Sequence, residues 1–468
     1  MKIKKSLMII LVLSSVLILS ACNAVNDSND TDSLTNDTNN STTTIDTSSG
    51  NVSSFGDISV ENIEVNLSDE DWQSMLSDPT AEEFKVASLS YEGTTLNNVA
   101  FRTKGNSSLI NVAKSDSERY GFKIKTNKYV DGQYLNGTNE FVLNASYSDP
   151  SYLREYLTYS LSENLGLYTP DTKFVWLIIN GQDYGLYLYV ESYDDTFISE
   201  RTSSDDTNLY KADGENCTLT LKDGISGFEL KEGDDDDMTN ITNLITVLNQ
   251  TTSENKEKLE EILNVESVLK WTALSYVTGN YDSYIGSKAH NYYLLYTDGK
   301  MNMVGWDYNM SFGGFPEDSG SSLLISAESP FSNTTASDRP LVSKLLEIDS
   351  YKKEYLGYVD DLKAELSIYL TELPTLAENI QSYVSKDPTA FYTLEEFNNE
   401  ITGSDMTLSD LKANNSVGNF PPTDRPIGGD LPIPDNGMNT NKPGGNSQGI
   451  GESNTITLAD YIRLRLKW

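Results

Sequence analysis

Cysteine and histidine are nearly absent from this 468-residue sequence, which has two of the first and one of the second. With Cys22 assigned below to a different task, Cys217 has no partner for an intramolecular disulfide, so stability must come from the core. Cys217 itself reads as a small core residue. A single histidine, His290, argues against His-rich zinc sites and against most Ser-His or Cys-His hydrolases. Any metal chemistry therefore falls to oxygen ligands. Positive charge is scarce too: 34 Lys and Arg stand against 70 Asp and Glu, a formal charge of −36. Such a field repels polyanions, which argues against nucleic acid or anionic lipid surfaces as partners and suits basic protein segments and divalent cations. Acidity of this kind also serves simply to keep an exported protein soluble. Beyond residue 19 no apolar run is long enough to span a bilayer, and no repeat of solenoid period occurs.

The first residues carry an address. Lys2, Lys4 and Lys5 form a basic stretch, Leu7 to Leu19 an apolar one, and Leu19-Ser20-Ala21-Cys22 a cleavage box ending in cysteine. This is the pattern of a bacterial lipoprotein signal, expected to span residues 1–21 and to leave two acyl chains on Cys22. Those chains would hold the exported protein on the extracytoplasmic face of a membrane. Residues 22–54 are almost wholly Ser, Thr, Asn and Asp and are expected to form a disordered tether. Residues 55–412 form the expected folded domain. A Pro/Gly/Asn-rich insertion follows over 413–454, and residues 455–468 are expected to form a helix docking on the domain. Gly444 to Gly451 superficially suggests a nucleotide loop, but no strand precedes it and no helix follows.

Within the domain, strand and helix signals alternate, which points to an α+β fold. Ile58, Val60, Ile63, Val65 and Leu67 read as a strand, and Ser68 to Asp71 as a cap for the helix that follows. Phe122, Ile124 and Thr126 alternate with Lys123 and Lys125, putting both lysines on one face of a strand. Residues 152–166 are helical, with Gly166 as C-cap, and Asn180-Gly181 joins a hairpin. Asp234 to Asp237 lacks the ligand spacing of an EF-hand and reads as a solvated loop. Apolar spacing from Lys256 to Thr278 predicts one helix. A second hairpin flanks Asp298-Gly299, and residues 340–380 are helical again.

The second hairpin matters most for chemistry. It places Asn291 at its start and Asp307 just past its end, with Asp282 in the loop before it. Two carboxylates and an amide in reach of one another would suit magnesium or manganese, the metals of phosphoryl transfer. Upstream, Arg102, Lys104, Lys123 and Lys125 lie on β structure ahead of a helix carrying Glu155 and Glu163. A kinase needs such a strand lysine and a helix glutamate to hold it.

The order of short motifs is more specific than any one of them. Phe101-Arg102-Thr103-Lys104-Gly105-Asn106-Ser107-Ser108, Tyr120 to Lys125, Leu153-Arg154-Glu155, Tyr184-Gly185-Leu186-Tyr187, Asn208 to Lys211, Asn280 to Tyr284, His290 to Tyr293 and Gly305 to Asn309 resemble, in order, the spore-coat-protein-H family of atypical secreted protein kinases. The resemblance covers roughly residues 58 to 315, with an echo near Arg463. It implies an atypical bilobal kinase-like fold, β-rich in its N-terminal lobe and mainly helical in its C-terminal lobe. It further implies ATP and Mg²⁺ or Mn²⁺ as cofactors, Asp282 as catalytic residue, and Asp307 and Asn291 as metal ligands. Lys123 or Lys125 would hold the nucleotide phosphates, with Glu155 as ion-pair partner and Arg102 and Lys104 nearby. Lys104 stands where the family more usually has arginine, keeping the charge but losing the bidentate fork. The implied reaction is transfer of the γ-phosphate of ATP to Ser or Thr of surface or coat proteins, with basic, Ser-rich segments as the expected partner. The alternative is a catalytically inactive module for surface binding or adhesion.

Overall fold

The computed structural model describes residues 58–214, 216–315, 321–411 and 456–467. The signal, Cys22, the tether and the 413–454 insertion lie outside the described residues.

Seven strands close into a barrel in the order β1-β2-β3-β4-β5-β7-β6: β1 Glu61–Leu67, β2 Lys85–Tyr91, β3 Thr94–Lys104, β4 Gly121–Lys125, β5 Glu140–Asn144, β6 Thr172–Ile179 and β7 Gln182–Glu191. Neighbours pair antiparallel except β1 and β6, whose parallel pairing closes the ring and removes both open edges. The period-two pattern decides which side chains enter. Phe122 and Ile124 of β4 are fully buried inside, with Phe122 stacked on Phe101 of β3 at 4.8 Å, while Lys123 and Lys125 point outward. Asn180 and Gly181 both take positive φ, as a two-residue hairpin turn requires.

Helices α1 Asp69–Ser77 and α2 Ser107–Ala113 decorate the barrel, and α3 Arg154–Asn164 follows β5. After β7 and α4 Asp195–Arg201 comes a second sheet, ordered β11-β10-β8-β9, from β8 Asn208–Ala212, β9 Phe228–Glu232, β10 Tyr292–Thr297 and β11 Lys300–Gly305. The remaining helices are α5 Thr239–Gln250, α6 Glu257–Glu260, α7 Val265–Thr278, α8 Pro340–Leu346, α9 Asp349–Lys386, α10 Leu394–Thr402 and α11 Leu458–Arg465. They share one large apolar core with the second sheet, and the chain is a mixed α+β protein.

Two local expectations need correction. The single helix expected over 256–278 is two pieces, α6 and α7. Asn264 breaks it: its side chain caps α7 by accepting from Ser267 N at 3.3 Å, and its own N–H donates to Met301 O at 2.8 Å. In the acidic run, Asp235 is not merely solvated. It accepts from the backbone N–H groups of Thr239 and Asn240 and from the Tyr210 hydroxyl, holding the start of α5.

Buried arginines tie the parts together. Arg119, fully buried below the barrel, pairs with Asp387 at 2.9 Å just past α9. Arg154 of α3 pairs with Glu400 of α10 at 2.8 Å and donates to the carbonyls of Ser311, Phe312 and Ile456. Leu458, Tyr461 and Ile462 of α11 are fully buried, and Gly279 at the C-cap of α7 leaves room for the Tyr461 hydroxyl, which a Cβ there would meet at 2.3 Å.

Candidate functional site

The hairpin β10–β11 assembles the centre of the site. Tyr292 pairs with Gly305, and the ladder continues one step further as Trp306 N–H donates to Asn291 O at 3.1 Å. Asn291 and Asp307 are thereby brought to the same end of the sheet. Both take left-handed backbone conformations, φ +56° and +58°. Non-glycine residues adopt this region at a cost that recurs at functional sites. Gly305 allows the close packing beneath: a Cβ there would overlap the Tyr308 hydroxyl.

Asn291 reaches back to the preceding loop. Its Nδ2 donates to Asp282 O at 2.9 Å and to Asp282 Oδ2 at 3.2 Å. The neighbouring His290 places Nε2 2.6 Å from Asp282 Oδ1. On the other side, Asp307 N–H donates to the hydroxyl of Tyr159, on α3, at 3.3 Å. Four residues earlier on α3, and so on the same face of the helix, is Glu155, buried and accepting from Asn144 Nδ2 at 2.8 Å.

Burial and the nearby Asp307 carboxylate push Glu155 up to about 8, against the pull of Lys104. Asp307 is likewise raised by burial and by Asp282, while Lys104, His290 and Lys211 act in the opposite sense. A buried and a half-buried carboxyl group so placed favour a shared proton or a cation over two bare charges.

Asp282, His290, Asn291 and Asp307 line one wall of a cleft of about 980 Å³, whose other wall is built from the ends of β3, β4 and β5. Seven of its lining residues are Lys or Arg, a local enrichment in a chain where acids outnumber bases two to one. Eight Asp or Glu side chains line it as well, so charge is nearly balanced here and an anion is repelled less than over the chain as a whole.

The structure brings Asp282, Asn291, Asp307, Glu155 and Lys104 together and sets Arg102, Lys123 and Lys125 in the facing wall. One assignment implied by the resemblance changes. Lys123 and Lys125 are not partners of Glu155; both pair with Glu140 of β5, Lys125 at 3.2 Å. The cation acting on Glu155 is Lys104, which has no carboxylate at ion-pair distance among the described residues. Arg102 pairs with Glu82 at 2.8 Å and lies over the Phe84 ring. Glu163, the other candidate on α3, lines a separate cavity. Sequence reasoning gave no site role to His290, Tyr159 or Glu140. Glu140 lies opposite Lys125 in the β4–β5 register, which only the folded pairing reveals.

Among the described residues no three His, Cys, Asp or Glu side chains cluster closely enough to hold a metal by themselves. The Asp307 carboxylate and the Asn291 amide oxygen, both lining the cleft, are a candidate donor set of another kind. Magnesium suits it, since that ion commonly takes one or two carboxylates and completes its shell with water and phosphate. With its nitrogen committed to Asp282, the Asn291 amide has its oxygen left for such a role.

The family model described as CotH kinase protein matches residues 101–407. The chain belongs to the CotH family. Inner spore coat protein H of Bacillus subtilis (strain 168) is 25% identical over 309 residues, covering 62% of this chain and 82% of that protein. Among solved structures, HipA from Shewanella oneidensis MR-1, in a complex with HipB and operator DNA, aligns over 71% of this chain and 82% of its own at 12% identity. Its TM-score of 0.26 carries no argument about the fold. The CotH match starts at Phe101 in β3 and runs past Asp307, so it contains the cleft residues from Arg102 onward, and it identifies a kinase-like protein.

Proposed function

We propose that this chain is an ATP-dependent protein kinase that transfers the γ-phosphate to Ser or Thr of surface or coat proteins. The observation that carries the reading is the meeting of Lys104 and Asp307 with the Asp282–Asn291 pair in one cleft, with Glu155 buried within the electrostatic reach of Lys104 and Asp307. In this reading the barrel is the N-terminal lobe, the helices and second sheet are the C-terminal lobe, and the cleft lies between them.

Lys104 holds the phosphates, and Glu155 on α3 keeps it in place. Asp307, with the Asn291 amide oxygen, holds Mg²⁺ or Mn²⁺, which would neutralise charge developing on the transferred group. Asp282 accepts the proton of the substrate hydroxyl as that oxygen forms its bond to phosphorus and ADP departs. Arg102, Lys123 and Lys125 extend the positive wall along the nucleotide. The acidic exterior favours a basic, Ser-rich protein segment as acceptor. The name of the Bacillus relative supports a coat or surface location, and the lipidation motif at Cys22 supports attachment to the membrane face.

Incubating the full chain with γ-labelled ATP and Mg²⁺ or Mn²⁺, beside its Asp282→Ala variant, tests this. Label on the chain or on a basic Ser-rich peptide, absent with the variant, is the expected result. No transfer and no ATP binding with either metal would move the weight to an inactive binding or adhesion module.

A further inference from the structure

We infer that His290, the single histidine of the chain, is a positioning residue that fixes the carboxylate of Asp282 for phosphoryl transfer; the inference rests on the kinase reading above. The final torsion of an aspartate is broad and roughly two-fold, so a carboxylate anchored at one oxygen swings. Asp282 is anchored at both. His290 Nε2 lies 2.6 Å from Oδ1, and Asn291 Nδ2 donates to Oδ2 at 3.2 Å and to the Asp282 carbonyl at 2.9 Å.

The backbone is shaped to deliver this pair of contacts. Ala289 and Asn291, on either side of the histidine, are both left-handed, with φ +52° and +56°. Alanine has no side chain to reward that conformation, and Ala289 is fully buried, so the turn is imposed by its surroundings. It presents two consecutive side chains to one carboxylate. The imidazole keeps 32% of its surface exposed and lines the cleft, so it is not a core residue satisfied by accident.

The two contacts have different tasks. Asn291 holds Asp282 through its nitrogen and is the proposed metal ligand through its oxygen, so its orientation follows the metal. His290 holds the opposite carboxylate oxygen independently of that ligand and sets which lone pair faces the incoming hydroxyl. Without it the acceptor remains present but is misaimed, a defect of orientation that commonly costs on the order of 10²-fold in rate.

The full chain with His290→Ala and His290→Gln, assayed for peptide phosphorylation across ATP concentrations, tests the role. His290→Ala should lower kcat roughly 10- to 100-fold with KM for ATP unchanged. Gln at 290, which keeps a donor, should regain much of the loss, and added imidazole should partly restore the Ala variant alone. An unchanged kcat, or a loss that neither Gln nor imidazole repairs, overturns the proposal. Because the chain has one histidine, its imidazole ¹⁵N signals report the contact without any assay of activity, and they should shift in Asp282→Asn. Unmoved signals overturn the pairing even in an active enzyme. Shifted signals in a wild-type chain that transfers no phosphate refute the kinase reading instead, and with it the catalytic purpose of the contact.

Discussion

Lys104, the last residue of β3, is the cation that acts on Glu155 of α3, whereas Lys123 and Lys125 are both committed to Glu140. A strand lysine and a helix glutamate are thus brought into one another's field across the junction of barrel and helices. The lysine is the one that stands in the Lys104-Gly105-Asn106-Ser107 turn, not either of the two on β4.

Replacing Lys104 and Lys125 separately tests which of the two grips the nucleotide. A charge-assisted hydrogen bond contributes about 1.5–3 kcal/mol, or roughly 10- to 100-fold in affinity. Lys104→Met should weaken ATP binding by that factor, and Lys104→Arg by less. Lys125→Met, which leaves Lys123 paired to Glu140, should change affinity by no more than roughly threefold, since a part-exposed pair is worth at most about 1 kcal/mol. Fluorescence titration with a nucleotide analogue measures all three, and a larger loss at Lys125 than at Lys104 would reverse the assignment.

The carboxyl of Glu155 yields a pH dependence with a definite sign. It is pushed up to about 8, from an ordinary glutamate value of 4.5, by burial and by Asp307, against Lys104. Between those two values the folded chain retains a proton that the unfolded chain has released. Stability therefore falls as pH rises through that window and levels off above it. Glu155→Gln carries no proton to lose. In the absence of divalent metal its Tm should match or trail wild type near pH 5 and exceed it near pH 9. Calorimetry across that range with a chelator present checks this, and parallel Tm curves would show that the carboxyl is not perturbed.

How much of this was legible in advance differs by element. Hairpin turns at Asn180-Gly181 and Asp298-Gly299 announce themselves because both residues of each must take positive φ, and the convergence of Asn291 with Asp307 follows from the second hairpin alone. The alternation on β4 correctly placed Lys123 and Lys125 on one face. It could not show that Glu140 occupies that face, because the partner strand lies beyond a loop and its register is a tertiary fact. Barrel closure was equally hidden: the parallel contact of β1 with β6 joins residues more than a hundred positions apart. The break at Asn264 was missed because apolar periodicity runs through it unchanged, while the cap depends on a carbonyl contributed by β11. His290 was read for its rarity and as the start of the His290–Tyr293 motif, without a role; its contact with Asp282 needs the left-handed turn at Ala289, which no residue type there signals.

Arg154 carries a prediction about stability rather than chemistry. It is fully buried, pairs with Asp149 and Glu400, and binds the carbonyls of Ser311, Phe312 and Ile456. Arg154→Met would leave two buried carboxyl groups without their counter-ion, a loss of about 3–5 kcal/mol. The Tm should fall by several degrees, more than for removal of the exposed pair formed by Lys344 and Glu347, which should be nearly silent. Because Ser311 and Phe312 lie four and five residues after Asp307, metal-dependent nucleotide binding should weaken in the same variant even below its Tm.

Asp307 and Asp282 should fail in different ways, because their surroundings differ. Asp307 is half-buried at the cleft beside Tyr159 and near Glu155, and carries the raised affinity for positive charge that two neighbouring carboxyl groups confer. Asp307→Ala should therefore abolish metal-dependent ATP binding, with titration calorimetry showing no heat in the presence of Mg²⁺ or Mn²⁺. Asp282 is held at its edges by His290 and Asn291 and has a further lone pair for a hydroxyl proton. Asp282→Ala should keep ATP affinity within roughly threefold and lose transfer by about 10²-fold or more, the scale of a general base. Binding and transfer are thus separable by two substitutions in one cleft, and equal activity of either variant and wild type would place the chemistry elsewhere.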